Sequence, residues 1–411
     1  MTSPAARRPF NLDAIGSMLA LAGSLPALTD ALHCTSIRGT SVPGTAVVQA
    51  PPGTGKTTLV PPLLANLFGH AGRIVVTQPR RVAARAAARR LSALDGRGPA
   101  DRVGYTVRGE RHAGTGTRVE FVTPGILLHR LLADPGLEGT AAVVLDEVHE
   151  RGLETDLLIG MLAELRQLRG DLAVVAMSAT LDAPRFAALL GDPDDGTPAP
   201  VVDCPSVLHP LEVAWHPAPG LRLDDRGVAP AFLDHVAATA AEAHATALAA
   251  DAAADGLVFV PGAKEVGRVA AALRTRVGPG VDVLELHGQV GAAEQDRAVS
   301  GRGPGDGPRI IVSTDLAESS LTVPGVRLVI DSGLTREPRR DAGRGMSGLV
   351  TVSCSRASAD QRAGRAARQG PGKAVRCYSQ QAYGASSAHV NPEINVADLT
   401  GAALTLACWG S

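Results

Sequence analysis

In the stretch "AVVQAPPGTGKTTLVPPLL" an apolar run, Ala46–Gln49, stops at a proline- and glycine-rich loop, and a second apolar segment of helical length follows at once. A strand that short and that apolar is buried on both faces, so it needs neighbours on its edges and helices above and below it. Four more runs of the same kind occupy the first half of the chain: Ile74–Thr77, Val119–Val122, Ala142–Leu145 and Ala173–Met177. The intervals between them are mostly of helix length and end in turn residues, which predicts a mainly parallel sheet flanked by helices. Four of the five runs are followed by polar or glycine-rich residues: "APPGTGKTT", "QPRRVAA", "DEVHER" and "SATLD". Open sheets of this type bind ligands beyond the carboxyl ends of their strands, so these clusters are expected along one rim.

The strand pattern then restarts. Leu257–Val260, Val283–Leu286, Arg309–Val312, Leu328–Ile330 and Ala374–Tyr378 follow a long Ala-rich helical piece at 231–254. Between them lies a Pro/Gly/Asp-rich passage at 192–230 that leaves little room for long regular elements and marks a junction. A chain of 411 residues exceeds the roughly 250–300 that one core supports, so two domains are expected. Their predicted bounds are 1–200 and 201–388, with 389–411 beginning a connector.

The loop after the first run has the chemistry of a phosphate cradle. Gly53 and Gly55 permit a backbone path that brings amides close to phosphate oxygens, and Thr54 sits between them. Lys56 would reach the β- and γ-phosphates of a nucleotide, and the Thr57 hydroxyl, with Thr58 next in line, would bind magnesium at the start of a helix. Ala50 stands where the usual pattern has glycine, a tolerable change at a strand end. Asp146 and Glu147 follow another strand directly and join Thr57 as the candidate metal residues; Asp146 would hold the same magnesium, and Glu147 beside it would also polarise an attacking water. The two signals need one another, because the metal is shared by Thr57, Asp146 and the nucleotide. ATP and Mg2+ are therefore the expected ligands.

Composition narrows the setting. The net charge of −1 provides no global basic field, so any nucleic-acid site must be a local patch. Only three of the 40 basic residues are lysines, which makes Lys56 conspicuous. The five cysteines form no C-x-x-C pair, which argues against a structural zinc site and for a reducing, cytoplasmic setting. No stretch approaches the ~18 apolar residues of a membrane span, and the N-terminal "NLDAIGSMLALAGSL" reads as an amphipathic helix rather than an export signal.

The ordered series "APPGTGKTT", "TQPRR", "DEVH", "SAT", "FVPGAKEV", "STDLAESSLTVPGV" and "QRAGRAAR" resembles superfamily 2 helicases of the DEAH/DExH class, with "LAESSLT", "PEI" and "CWG" pointing to the bacterial HrpB type. The resemblance runs from about Leu25 to the end. It implies two tandem RecA-like domains that grip ATP between them, and an ATP-dependent helicase that moves along single-stranded RNA, or DNA, in the 3′ to 5′ direction. An ATPase clamp or remodeller without processive unwinding is the alternative. A monomer is expected; protein partners are not indicated.

The same resemblance distributes roles. Gln361 would partner the attacking water, and Arg365 and Arg368 would contact the γ-phosphate. His149, with Ser178, Ala179 and Thr180, would couple nucleotide state to domain contact, although His149 also reads as a structural histidine. Arg80, Arg81, Thr123, Gly125 and Thr314 would line the strand-binding side, where the plain alternative is a solvated surface. The passage from Leu334 to Arg356 reads as a β-hairpin, either a strand-separating element or a basic surface loop. Pro124, Pro324 and Ala367 depart from the family pattern. Helicases of this type run well beyond such a C-terminus, so the chain is expected to hold the two motor domains and the start of a connector.

Overall fold

The computed structural model describes residues 9–33, 36, 37, 40, 41, 44–96, 101–179, 182–192, 195–204, 209–303, 305–319, 321, 323–341 and 346–410. The chain forms two compact units, one made of residues 1–206 with 392–411 and the other of 207–391. Both have the expected α/β architecture.

Besides the small antiparallel pair of Ser36–Ile37 with Thr40–Ser41, the described strands of the first unit are β1 (Thr45–Gln49), β2 (Arg73–Thr77), β3 (Val103–Val107), β4 (Glu110–His112), β5 (Val119–Val122), β6 (Thr140–Leu145), β7 (Ala173–Ser178) and β8 (Val201–Asp203). These eight form one sheet in the order β8-β1-β7-β6-β2-β5-β3-β4, parallel except where β4 folds back on β3. The alternation of side chains along each strand divides two cores. Ala46, Val48, Val76 and Val144 pack on one face of the sheet, and Val47, Val75, Val143 and Leu145 on the other. This double burial explains why the central strands are mostly apolar runs rich in Val and Ala.

The helices that flank this sheet are α1 (Lys56–Phe68), α2 (Arg81–Leu94), α3 (Pro124–Ala133), α4 (Leu153–Leu168) and α5 (Ala183–Leu189), and the N-terminal stretch expected as one amphipathic helix is broken into Leu12–Gly16, a 3-10 turn at Ala20–Ser24 and Leu25–His33. Helix α1 holds Pro61 and Pro62 in its interior. Each removes a backbone donor there, a cost of roughly 3 kcal/mol that burial of the helix between sheet and N-terminal segment offsets.

In the second unit β9 (Leu211–Trp215), β10 (Asp255–Phe259), β11 (Asp282–Leu286), β12 (Arg309–Ser313), β13 (Val326–Asp331) and β16 (Gly372–Arg376) form a parallel sheet in the order β9-β16-β13-β10-β12-β11. Between them, β14 (Leu334–Asp341) and β15 (Met346–Ser353) pair antiparallel as the expected hairpin; Arg344 lies outside the described residues. Helices α6 (Pro230–Ala250), α7 (Ala263–Arg274), α8 (Ala292–Val299) and α9 (Arg356–Gly364) accompany the sheet.

Three boundaries differ from the sequence reading. The passage at 192–230 contains four short strands, of which Leu223–Asp224 and Gly227–Val228 pair antiparallel with each other. Val201–Asp203 pairs with β1 and so carries the first unit past 200, while Leu211–Trp215 opens the second sheet beside β16. Residues 392–411 do not stand apart as a connector, because helix α10 (Thr400–Trp409) packs on α3 and α4 of the first unit. Short edge strands pair through their backbone, which needs little sequence signal, and both were hidden among prolines.

One buried ion cluster ties the sheet of the first unit to its helices. Glu120, in the middle of β5 and wholly buried, accepts from Arg130 of α3 at 2.6 and 3.0 Å, from Thr106 at 2.6 Å and from Arg73 at 2.6 Å. Burial raises the Glu120 carboxyl, but these bonds outweigh it and bring the group down to about 2 from an ordinary 4.5. Glu120→Gln should lower unfolding free energy by about 3 kcal/mol, because two guanidinium groups lose their shared carboxylate. A depressed carboxyl stabilises fully above its ordinary value, so the gap between wild type and variant in denaturant titrations should be constant from pH 7 to 5 and shrink towards pH 2.

Candidate functional site

The ends of β1, β7, β6 and β2 are neighbours in the sheet, and the predicted residues meet at that rim. The loop after β1 turns through Gly53 and Gly55 with φ of 88° and 100°, a left-handed region that admits glycine freely. Thr54 closes the loop on itself by donating to the Pro51 carbonyl at 2.9 Å. The N-terminal segment braces it from outside: the Leu21 amide donates to the Thr54 carbonyl at 3.0 Å, and a side chain on Gly55 would come within 2.8 Å of Leu19 Cδ1. Nothing in the apolar N-terminal stretch announced this support, since helical periodicity does not say what a helix packs on.

Lys56, at the first position of α1, is buried and its ammonium donates to the carbonyls of Ala50 and of Ser178, the latter at 3.2 Å. It stands where the strand ends β1 and β7 meet the loop. Thr57 donates to Asp146 Oδ2 at 2.6 Å. On the other side Gln78, the first residue after β2, donates to the same oxygen at 2.6 Å, and the Glu147 amide donates to Oδ1 at 2.9 Å. Thr58 continues the helix, its amide bonded to the Gly55 carbonyl. Asp146 therefore gathers three elements onto one carboxylate.

Burial raises the Asp146 carboxyl to about 7, and the negative charge of Glu147 adds to the effect against the opposing pull of Thr57, Lys56 and Gln78. Hydroxyl and carboxylate oxygens are the donors that magnesium prefers, and two protein ligands suffice where phosphates and water complete the octahedron. The described residues hold no group of three or more His, Cys, Asp or Glu side chains that could cage a metal alone. The set thus fits an ion carried in with a nucleotide, with Thr57 and Asp146 as its holders.

Glu147 is buried and its backbone is left-handed, φ 53° and ψ 39°, an uncommon conformation for a residue with a side chain. Its carboxylate lies 3.5 Å from His149 Nε2. The Ala179 amide donates to His149 Nδ1 at 3.2 Å, which leaves the ring proton on Nε2, facing Glu147. His149 and the "SAT" segment are therefore bonded to one another. Ser178 ends β7, and Thr180 lies outside the described residues.

Arg80, Arg81, Thr123 and Gly125 follow the adjacent strands β2 and β5 on the same rim, whereas Thr314 belongs to the second unit. Arg80 lies 3.6 Å from Glu150, Arg81 is exposed, and Thr123 occupies the N-cap position of α3 without a capping bond from its side chain. Pro124 occupies the first position of that helix, where its fixed φ is an asset, so this departure from the family pattern is sterically natural. A side chain on Gly125 would press on the Glu154 carboxylate at 2.9 Å.

In the second unit Thr314 caps a short turn after β12, its hydroxyl accepting from the Leu316 amide at 3.4 Å. Gln361 is half-buried on α9. Arg365 differs from its expected placement towards phosphate: it is buried, and its guanidinium donates to the Glu318 carbonyl at 2.7 Å and to the Leu321 carbonyl. Arg368 is the more exposed of the pair. The sequence reading passed over Arg362, which is wholly buried and bonds Glu318 at 2.7 Å and Asp331 at 3.0 Å. Through Arg362 and Arg365 the helix bearing Gln361 is locked to the loop after β12. A polar or charged residue at every third place of a helix is a weak hint of this, because the same spacing also describes a solvated face. Gln78 was missed for a simpler reason, as a single amide after a strand carries no distinctive spacing.

Comparison with known proteins places these observations in a family. Residues 33–187 match the DEAD/DEAH box helicase model and 243–370 the helicase conserved C-terminal domain. The chain is 36% identical over 395 residues to the ATP-dependent RNA helicase HrpB of Escherichia coli, covering 96% of this chain and 45% of that protein. It is 34% identical over 378 residues to a probable ATP-dependent RNA helicase, the DHX35 homolog of Caenorhabditis elegans, covering 89% of this chain and 50% of the relative. The crystal structure of E. coli DEAH/RHA helicase HrpB superposes with a TM-score of 0.82 at 36% identity over 96% of this chain and 47% of that one. The chain spans about half the length of these relatives. Among the described residues no helix is long and apolar enough to cross a membrane.

Because a carboxylate must be ionised to take a metal, magnesium affinity should depend on pH through Asp146. Titrations of Mg2+ with a non-hydrolysable ATP analogue should show binding that tightens by up to about tenfold per unit as pH rises to 7, and levels off above it. Asp146→Asn should bind magnesium weakly with no such dependence.

Proposed function

Starting from the DEAD/DEAH-box helicase family, to which this chain belongs, we propose that it hydrolyses ATP with magnesium and uses the cycle to move along single-stranded RNA and unwind duplex. The observation that carries the reading is the convergence of Lys56, Thr57, Gln78, Asp146 and Glu147 on one strand rim beside a glycine loop. Loop amides and Lys56 hold the triphosphate. Thr57 and Asp146 hold magnesium, which when bound neutralises charge on the phosphates.

Glu147 takes the proton of the attacking water as its oxygen bonds to the γ-phosphorus and the bond to the β-phosphate oxygen breaks, leaving ADP and phosphate. His149 keeps the Glu147 carboxylate turned to that task. Gln361 orients the water, and Arg368, joined by Arg365 once it is released from its carbonyl partners, stabilises the transferred group. Arginines in this role contribute ~10³–10⁵ in rate, so hydrolysis is slow until the second unit delivers them.

Arg80, Arg81, Thr123, Gly125 and Thr314 contact the sugar-phosphate backbone, which carries no sequence information and suits a motor indifferent to bases. Family resemblance favours RNA, 3′ to 5′ movement, a monomeric enzyme and a cytoplasmic setting. The hairpin of β14 and β15 parts the strands. An ATPase clamp without unwinding is the second reading.

Two measurements test the proposal. ATP turnover should rise on adding single-stranded RNA, and a tailed duplex should be displaced; stimulation without displacement would leave the clamp, and no stimulation would remove the nucleic-acid reading. Glu147→Gln should cost 10²–10⁴ in turnover with nucleotide affinity close to wild type, because a general base acts in the transition state.

A further inference from the structure

The strained loop that carries Glu147 is gripped from a distant part of the chain. After Glu147 a single 3-10 turn, Val148–Glu150, leads to Arg151, whose backbone is again left-handed at φ 54°. Two such residues within one short loop hold only where the surroundings over-determine them. Helix α4 starts immediately afterwards, and its N-cap is Gly152, which has no side chain to satisfy the first amides of the helix.

That deficiency is made good by Glu393, 240 residues away in sequence. Its Oε2 accepts from the Leu153 amide at 2.8 Å, and its own amide donates to the Arg151 carbonyl at 3.1 Å. The two bonds bracket Gly152 from both sides. The negative carboxylate also faces the positive end of α4. Farther along, Trp409 of α10 packs against the core beneath α4 and donates through Nε1 to Glu164 Oε2 at 2.8 Å. The segment is thus fastened at both ends of the same helix, with its sharp polar contact at the loop.

The chain leaves the first unit after 206, builds the second, and returns at 392. Its first anchoring side chain on return is the Glu393 clamp. We propose that Glu393 is a positioning residue for ATP hydrolysis: it holds the exit of the catalytic loop, and through Arg151 the backbone that aims Glu147, and it joins that loop covalently to the end of the second unit. This rests on the ATPase reading above. The "PEI" sequence thereby acquires a mechanical purpose distinct from packing.

The test combines ATPase kinetics with amide hydrogen exchange. Glu393→Ala should lower kcat for ATP on the order of tenfold, since small displacements of a general base are costly, while KM and melting temperature stay near wild type. Glu393→Gln keeps a side-chain carbonyl acceptor and should recover most of the rate. Trp409→Ala, which loosens the far end only, should keep wild-type kcat. Amide hydrogen exchange at 147–153 should speed up in the alanine variant alone, whether or not ATP is turned over. Wild-type exchange and kcat in Glu393→Ala, or an equal loss of kcat in Trp409→Ala, would overturn the assignment. Wild-type protein without ATP turnover would instead count against the ATPase reading, and faster exchange in Glu393→Ala would then still establish the clamp.

Discussion

A single buried carboxylate organises the first unit. Asp146 would be expensive to bury alone, since an unpaired charge in an apolar sheet costs several kcal/mol. Here it accepts from Thr57, Gln78 and the Glu147 amide, which lie at the start of α1, the end of β2 and the turn after β6. These partners make its burial tolerable, and in return it fixes the mutual placement of two strand ends and the start of α1. The glycine loop and Lys56 are then held in the same small region without a dedicated scaffold.

The second unit solves a similar problem with a cation. Arg362 is wholly buried between Glu318 and Asp331 and lies over the Phe259 ring. Burial alone would disfavour its charge, but the facing carboxylates raise its proton affinity well above normal. Arg365 adds bonds to the Glu318 and Leu321 carbonyls. The loop after β12 and the helix with Gln361 are consequently bonded to one another through two buried guanidinium groups.

Strain is concentrated where chemistry is proposed. Glu147 and Arg151 are two of only three positive-φ residues other than glycine among those described. Such conformations persist when neighbours hold them, and here the neighbours are His149 with the Ala179 amide on one side and Glu393 on the other.

Sequence alone determined most of the elements and the placement of the glycine loop, Asp146 and Glu147 at strand ends. Short apolar runs alternating with helix-length segments suit a parallel sheet covered on both faces, and a glycine loop followed by Gly-Lys-Thr at a strand end has few other uses, so strands, loop, Asp146 and Glu147 were legible from local pattern. Tertiary structure decided what depends on residues far apart in the chain: Gln78 on Asp146, Arg365 turned towards carbonyls, Leu19 against Gly55, the extra strands at 201–203 and 211–215, and Glu393 capping α4. Each is a contact between short segments whose own composition is ordinary. Periodicity reports which face of a segment is buried, but the partner against which it is buried is set by the packing of the whole chain.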